Sequence, residues 1–268
     1  MQQLKRGQYF GNTHHEVHLD GFTVTDTEYT HDYVDWHCHE NPYFTFLLQG
    51  AIVEENKKEA YCLSQGSLIF HNWQDVHRNI KPPIFTRGAH LEIQSSWAET
   101  YGLNLYQVEG SIPVHNPYIK NLLYHVLLES RISDAYRQTS VALLVMDILA
   151  QLKKDLSRET AKRPSWHKKL ETLIHEEYDR PLTLGYVSGE LDIHPVHLSR
   201  TFHKYYGTTF GNYCREIRLN RAVASILNDP HSLSDIAYRH HFSDQSHMIA
   251  SFRKKFNLTP KQFEQVMG

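Results

Sequence analysis

The chain has 268 residues, enough for two domains with separate cores. Its 28 Lys and Arg against 30 Asp and Glu leave a formal net charge of −2, which excludes wholesale electrostatic binding to nucleic acid and confines any such contact to a local basic face. Three scattered cysteines, Cys38, Cys62 and Cys214, exclude a disulfide framework, and no run approaches the ~18 apolar residues that span a bilayer.

The opening segment MQQLKRGQYFGNTHHEVH has no apolar centre of the kind a signal peptide needs, so a reduced, cytoplasmic setting without membrane contact is expected. From about residue 20 to 110 the pattern is β. Runs rich in β-branched and aromatic residues, bounded by turn residues, predict strands at Phe22–Thr27, Tyr33–Cys38, Tyr43–Leu48, Ala51–Glu55, Glu59–Leu63, Gly66–Phe70 and His90–Ile93. Many short strands without helices between them predict an antiparallel barrel or double-sheet jelly roll.

Two pieces of this region carry chemistry. In WHCHENPYFTFLLQG, His37 and His39 stand one residue apart, which on a strand points both imidazoles to one face. In GSLIFHNWQDVHRN, from Gly66 to Asn79, the third histidine is His77. Three neutral imidazoles can hold Zn²⁺ or Fe²⁺ and leave positions open for a ligand. The plainer readings are that they line a ligand pocket, hydrogen-bond one another, or share no task. His71 and His90 carry a weaker signal in a chain with 20 histidines. A small-molecule effector in the barrel is expected to meet His37, His39, His77, Phe44 and Phe46.

The two pieces resemble the paired motifs of the cupin fold, a small jelly-roll barrel. There two His of the first motif and one of the second meet a metal together with a Glu. The resemblance implies His37, His39 and His77 as metal ligands, but Tyr43 or Phe44 stands where the Glu falls, and Glu40, next to His39, points away.

From Pro117 the period becomes 3.6. Ile119, Leu122, Leu123, Val126 and Leu127 share one face, and Val141, Leu144, Val145, Ile148, Leu149 and Leu152 share another after a break near Ile132–Tyr136. A helical hairpin over about 117–156 follows, closing a first domain of residues 1–156. Leu143 and Met146 widen the second stripe beyond one face, which predicts self-association into a homodimer. Residues 157–164, SRETAKRP, are polar and read as a linker to a second domain, 165–268.

That second domain holds the pattern helix, tight turn, helix twice. A helix from about Ser165 to Tyr178 precedes it. In the first copy Thr183 caps a short helix, Asp192–His194 turns, and Pro195 opens the second helix with Leu198 and Phe202 inward. Tyr213–Asn228 is a helical spacer, stopped by Asp229–Pro230. In the second copy Ser232 and Asp235 form a capping box, Phe242 and Ser243 turn, and Met248 and Phe252 anchor a helix from Asp244 to Phe256. Such a repeat suits two helices that each enter a major groove. Outward candidates for DNA contact are Val196, His197, Ser199, Arg200 and Lys204 in the first copy, and Gln245, Ser246, His247, Ala250, Ser251 and Lys254 in the second. Arg218 and Arg221 on the spacer, with Arg215, Arg253 and Lys255, supply positive charge for phosphates, and Arg200 is the candidate for bidentate contact with a guanine edge.

LSRTFHKYYG, IRLNRA and IAYRHHFSDQSHMIASFRKKFNLTP resemble the paired helix-turn-helix domain of the AraC/XylS family of bacterial transcription regulators. The resemblance implies promoter DNA as partner, a cupin-like N-terminal sensor, a small-molecule effector, and contact with RNA polymerase. It departs from the family where His241 and Asn257 replace glycines and where Glu264 replaces an arginine. The expectation is an α+β two-domain regulator, cupin-like jelly-roll barrel first and all-α double helix-turn-helix second, and no enzyme. Two rivals are an iron-dependent cupin enzyme fused to a DNA-binding domain, and a ligand-free dimerisation barrel filled by Phe44, Phe46, Trp73 and Phe85.

Overall fold

The computed structural model describes residues 2–72, 75–102, 110–159, 164–176, 182–228 and 231–268. Trp73, Pro181, Asp229, Pro230 and linker residues 160–163 lie outside them. The chain divides into two compact units, Met1–Leu149 and Ala150–Val266.

The first unit carries β1 (Gln2–Leu4), β2 (Asn12–Leu19), β3 (Phe22–Glu28), β4 (Tyr33–His39), β5 (Tyr43–Gln49), β6 (Ala51–Asn56), β7 (Ala60–Ser64), β8 (Leu68–His71), β9 (His77–Ile80), β10 (Arg87–Ile93) and β11 (Ser111–Pro113). Helices α1 (Ser95–Thr100), α2 (Pro117–Arg131) and α3 (Arg137–Glu159) accompany them. Each strand expected from the sequence is present, within a few residues at its ends. β1 and β2 extend the sheets upstream of the expected start near residue 20.

The strands form two sheets, ordered β1-β4-β9-β6-β7 and β11-β8-β5-β10-β3-β2. Strand β5 shows why they stack. Tyr43 to Leu48 are all buried, so both of its faces are covered. On the face toward the other sheet, Leu47 and Ile69 meet Ile52 and Leu63 in an apolar cluster. On the opposite face Phe44 packs on Phe70 at 4.6 Å, and Phe46 on Tyr124 of α2 at 4.8 Å. Phe44 and Phe46 therefore do not line the space between the sheets, because strand alternation sends them the other way. Of the other two expected fillers, Phe85 is 54% exposed and Trp73 lies outside the described residues.

Helix α2 starts where Asn116 accepts a hydrogen bond from the Tyr118 amide, with Pro117 in the first turn. Its end is tied to the sheet. Buried Asp26 on β3 accepts two bonds from Arg87 at 2.6 Å each and one from Arg131 at 2.5 Å. The break between α2 and α3 falls where the sequence predicts it. Helix α3, however, continues to Glu159, so Ser157–Glu159 belong to a helix and not to a linker.

The second unit contains α4 (His167–Glu176), α5 (Leu184–Glu190), α6 (Pro195–Tyr206), α7 (Phe210–Asn228), α8 (Leu233–Arg239), α9 (Gln245–Phe256) and α10 (Pro260–Met267). Helix α7 starts three residues before the predicted Tyr213. It packs against α6 on one side and against α8 and α9 on the other, as a spacer must. Leu170, Leu173, Val187, Leu198, Phe202 and Ile217 belong to the core of the first helix pair. Phe252, Phe256 and Phe263 form an aromatic triad in the second, with ring centroids 4.8–5.2 Å apart.

Candidate functional site

The two helix pairs end their first helices alike. Asp192 has φ 54° and His241 φ 57°, both left-handed. Around Asp192 the amides of Asp192 and Ile193 return to the carbonyls of Gly189 and Ser188; around His241 those of His241 and Phe242 return to Tyr238 and Ala237. These are two copies of one Schellman turn, each closing on an apolar residue. The turns then differ, since His194 caps α6 two residues after Asp192, whereas Asp244 caps α9 three residues after His241. Both second helices end on a left-handed residue, Gly207 and Asn257.

Leu198, Phe202, Met248 and Phe252 are buried, so the opposite faces of α6 and α9 are turned outward. Val196, His197, Ser199, Arg200 and Lys204 are exposed on α6. On α9 Gln245, Ser246, His247, Ala250 and Lys254 are exposed and Ser251 is half-buried. Two of the α9 side chains are already engaged: Gln245 accepts a bond from Ser234 at 2.6 Å, and His247 meets Ser243 at 2.9 Å. Two of the expected phosphate-facing cations have partners within the protein: on the spacer, Arg221 is half-buried and donates to the Ile174 carbonyl at 3.1 Å, and on α9 Lys255 pairs with Glu216 of the spacer at 3.0 Å. Arg218 lies half-buried over the Phe242 ring at 5.8 Å, and Arg215 bonds Asn212 at 2.9 Å.

A second site lies in the first unit, in a cavity of about 30 Å³ between the sheets. One sheet contributes His37 and His39 from β4, Glu54 from β6, and His77 and Asn79 from β9; the other contributes Tyr43, Thr45 and His90. One ring nitrogen from each of His37, His39 and His77 lies within 4.8 Å of the other two. Register explains this convergence, because His37 pairs with His77 across β4 and β9.

Hydrogen bonds set the tautomers. His37 Nδ1 faces the Asp35 carbonyl at 2.9 Å, and His77 Nδ1 faces the Asp75 carbonyl at 2.9 Å. A carbonyl only accepts, so each Nδ1 holds the proton and each Nε2 keeps a lone pair. At His77 that lone pair receives the Tyr43 hydroxyl at 3.1 Å. Burial lowers the pKa of His37, and it lowers His39 further with the help of the neighbouring imidazoles. His77 is pushed down to about 3, chiefly by burial. All three are neutral at pH 7, which is the form that binds metal. Backbone carbonyls holding the far nitrogens are the usual support of metal-binding histidines. The donor set thus fits a divalent transition ion, which takes neutral imidazole nitrogens as ligands.

Sequence reasoning missed Glu54, Asn79, Tyr9 and Tyr29 at this cavity and gave little weight to His90 and His71. His90 bonds Thr25 at 2.9 Å and Tyr29 at 2.7 Å, and Tyr9 stacks on it at 3.6 Å. His71 bonds Ser111 at 3.0 Å and Thr45 at 3.2 Å. Both histidines are satisfied core groups. Strand alternation from Ile52 could have found Glu54, whereas Tyr9 comes from a segment with no period to read.

Two helix pairs of one design, joined by a shared helix, define a DNA-reading domain. Residues 187–265 match the family described as a helix-turn-helix domain. Over 100 residues the chain is 34% identical to the HTH-type transcriptional regulator GlxA of Rhizobium meliloti (strain 1021), covering 37% of this chain and 30% of that protein. Over 165 residues it is 23% identical to the HTH-type transcriptional activator RhaS of Klebsiella pneumoniae (strain 342), covering 59% of each. The chain thus spans between 30% and 59% of the length of these curated relatives. Among solved structures, an apo form of a ToxT variant from Vibrio cholerae strain SCE256 overlays 97% of this chain and 100% of that one, at 13% identity and a TM-score of 0.43. The second unit is a helix-turn-helix domain of the AraC type.

Proposed function

We propose that this chain is a DNA-binding transcription regulator of the AraC/XylS type, controlled from the histidine-lined cavity of its first unit. One observation carries the reading: the Schellman turn that ends α5 recurs at the end of α8, and each is followed by a helix with a buried aromatic anchor and an exposed polar face. Promoter DNA is the partner of those faces, and the cytoplasm is where it is met. Arg200 reads a guanine edge, while Lys204 and Lys254 neutralise phosphates. Helix α3 presents Leu143, 63% exposed, beside half-buried Met146, and this stripe is the homodimer face, with RNA polymerase as the further partner.

The cavity's size limits the effector. About 30 Å³ admits an ion with a water or two, since a water needs ~10–15 Å³, while small-molecule pockets begin near ~300 Å³. We therefore assign Zn²⁺ or Fe²⁺ as the effector class, with His37, His39 and His77 as its ligands; an organic effector would have to part the sheets. Bound there, the ion would cross-link β4 and β9 and displace the Tyr43 hydroxyl from His77. It shifts DNA binding to the extent that it favours one arrangement of the protein over another. No catalytic role is proposed.

The test is selection from a random duplex library with the purified full chain. We expect an enriched motif of two blocks about one helical turn apart. Arg200→Ala should lose preference at one base position, about 1–3 kcal/mol of discrimination. A wild-type pool with no enriched motif would overturn the function, and an unchanged motif in the variant would overturn the Arg200 assignment.

A further inference from the structure

Four buried polar atoms lining the cavity have no hydrogen-bond partner among the described residues: Tyr9 Oη, His39 Nδ1, Glu54 Oε1 and Asn79 Oδ1. Native proteins hold a few such atoms per hundred residues, and here four of them gather around one small space, a donor and acceptor set suited to a polar ligand. Glu54 is the most costly of them, a carboxyl only 2% exposed. Its Oε1 comes within 3.3 Å of His71 Nδ1, but that nitrogen is directed to Ser111 Oγ at 3.0 Å. Ser111 in turn donates to Asp75 at 2.6 Å, so its oxygen is free to accept from His71. Burial lowers the His71 pKa and pushes Glu54 up to about 8, so in the metal-free protein both are neutral at pH 7 and the carboxyl keeps its proton.

The sheet register says what Glu54 faces. Across β6 and β9, Glu54 sits directly opposite Asn79. Two residues back along β9, on the same inner face, is His77, and across from His77 on β4 is His37. Glu54 is therefore a diagonal neighbour of the histidine row, at the ~7–8 Å backbone spacing that a long side chain bridges. A dication held by three neutral imidazoles keeps its full charge, and a buried charge is held more tightly where an opposite charge lies near it. Among the described residues lining the cavity, Glu54 alone carries an acidic group. The position on β5 that could have offered a carboxylate holds Tyr43, whose hydroxyl is committed to His77.

We propose that Glu54, projecting from β6 with Asn79 beside it, is the counter-charge that lets the three-histidine cavity hold a divalent transition metal. It is the residue that makes the site select a dication over water. The inference rests on the metal reading given above. It predicts opposite effects of one substitution on metal affinity and on the metal-free fold.

The experiment titrates purified full-length protein with Zn²⁺ against a chromophoric chelator, and with Co²⁺ followed by its visible absorption, for the wild type, Glu54→Gln, Asn79→Ala and His77→Ala. Thermal unfolding of each metal-free protein is recorded alongside. The expected result is one Zn²⁺ per wild-type chain, loss of binding in His77→Ala, and roughly a tenfold weaker affinity or more in Glu54→Gln. Metal-free Glu54→Gln should unfold at or above the wild-type temperature, since the amide removes a buried acid. A Glu54→Gln protein that binds Zn²⁺ as tightly as the wild type overturns the role of Glu54 and leaves the three-histidine site standing. So does one whose metal-free form melts lower, because that marks a packing role. A wild type that binds neither ion overturns the metal reading itself, and the inference with it.

Discussion

Asp192 and His241 occupy a backbone region that costs an ordinary L-residue roughly 1–2 kcal/mol relative to glycine, before the entropy of the unfolded glycine is counted. The Schellman hydrogen bonds around each compensate that strain. Asp192→Gly should stabilise the second unit by about 0.5–1 kcal/mol, read as a higher unfolding temperature; a decrease would show that the aspartate makes a contact worth more than its strain. Asn257 lies in the same region, which asparagine and aspartate both visit more readily than most L-residues, so the cost at Asp192 and Asn257 sits at the low end of that range. At the same scale, the departure of His241 from the family's glycine was readable in the sequence, and its left-handed φ of 57° came from the structure. The engagement of Arg221 with the Ile174 carbonyl was not readable, because a helix face does not say which neighbour will cross it.

Among the elements, the strands and caps were legible and the partners of their faces were not. Thr183 and Ser232 each accept a bond from the third residue onward, as their position before an apolar helix implies. Phe202 and Phe252 are both fully buried, each anchoring a second helix against its unit's core. Phe202→Ala should destabilise the second unit by about 3–5 kcal/mol and abolish selection of DNA. Circular dichroism melting checks the first effect and library enrichment the second, and a loss under about 1 kcal/mol would put α6 outside the core. Phe44 and Phe46 illustrate the limit of strand reading. Their alternation with Tyr43 and Thr45 was plain, but which set faced the other sheet depended on α2 covering the aromatic side.

For the molecule as a whole, acid sensitivity is set where helix meets sheet in the first unit. Burial alone would raise the Asp26 carboxyl, but the bonds and charges of Arg87 and Arg131 outweigh it and hold the pKa below the ordinary carboxylate value. A depressed folded pKa stabilises the protein above the unfolded value of about 3.9, and that contribution is lost as pH falls through the folded pKa. Asp26→Asn should therefore cost about 3–5 kcal/mol at pH 7, since it leaves two arginines partly buried without their acid, and the deficit should shrink as pH falls below about 4. Urea unfolding at about pH 7 and about pH 3 measures both limbs; an equal deficit at the two values would mean that the charge does not matter.

The amino-acid order alone determined the two-part plan, the strand and helix positions, and the twin turns of the DNA-reading domain. Each of these is written in a local period, a cap or a turn residue, and such signals act over a few neighbours. Only the tertiary structure decided the contents of the cavity, because Glu54, Asn79 and Tyr9 reach His37, His39 and His77 through pairings across sheets and not along the chain. Strand register and the stacking of two sheets are non-local choices, made by the burial of whole faces. That is why three histidines could be proposed from their spacing while the acid opposite them came to light only in the folded molecule.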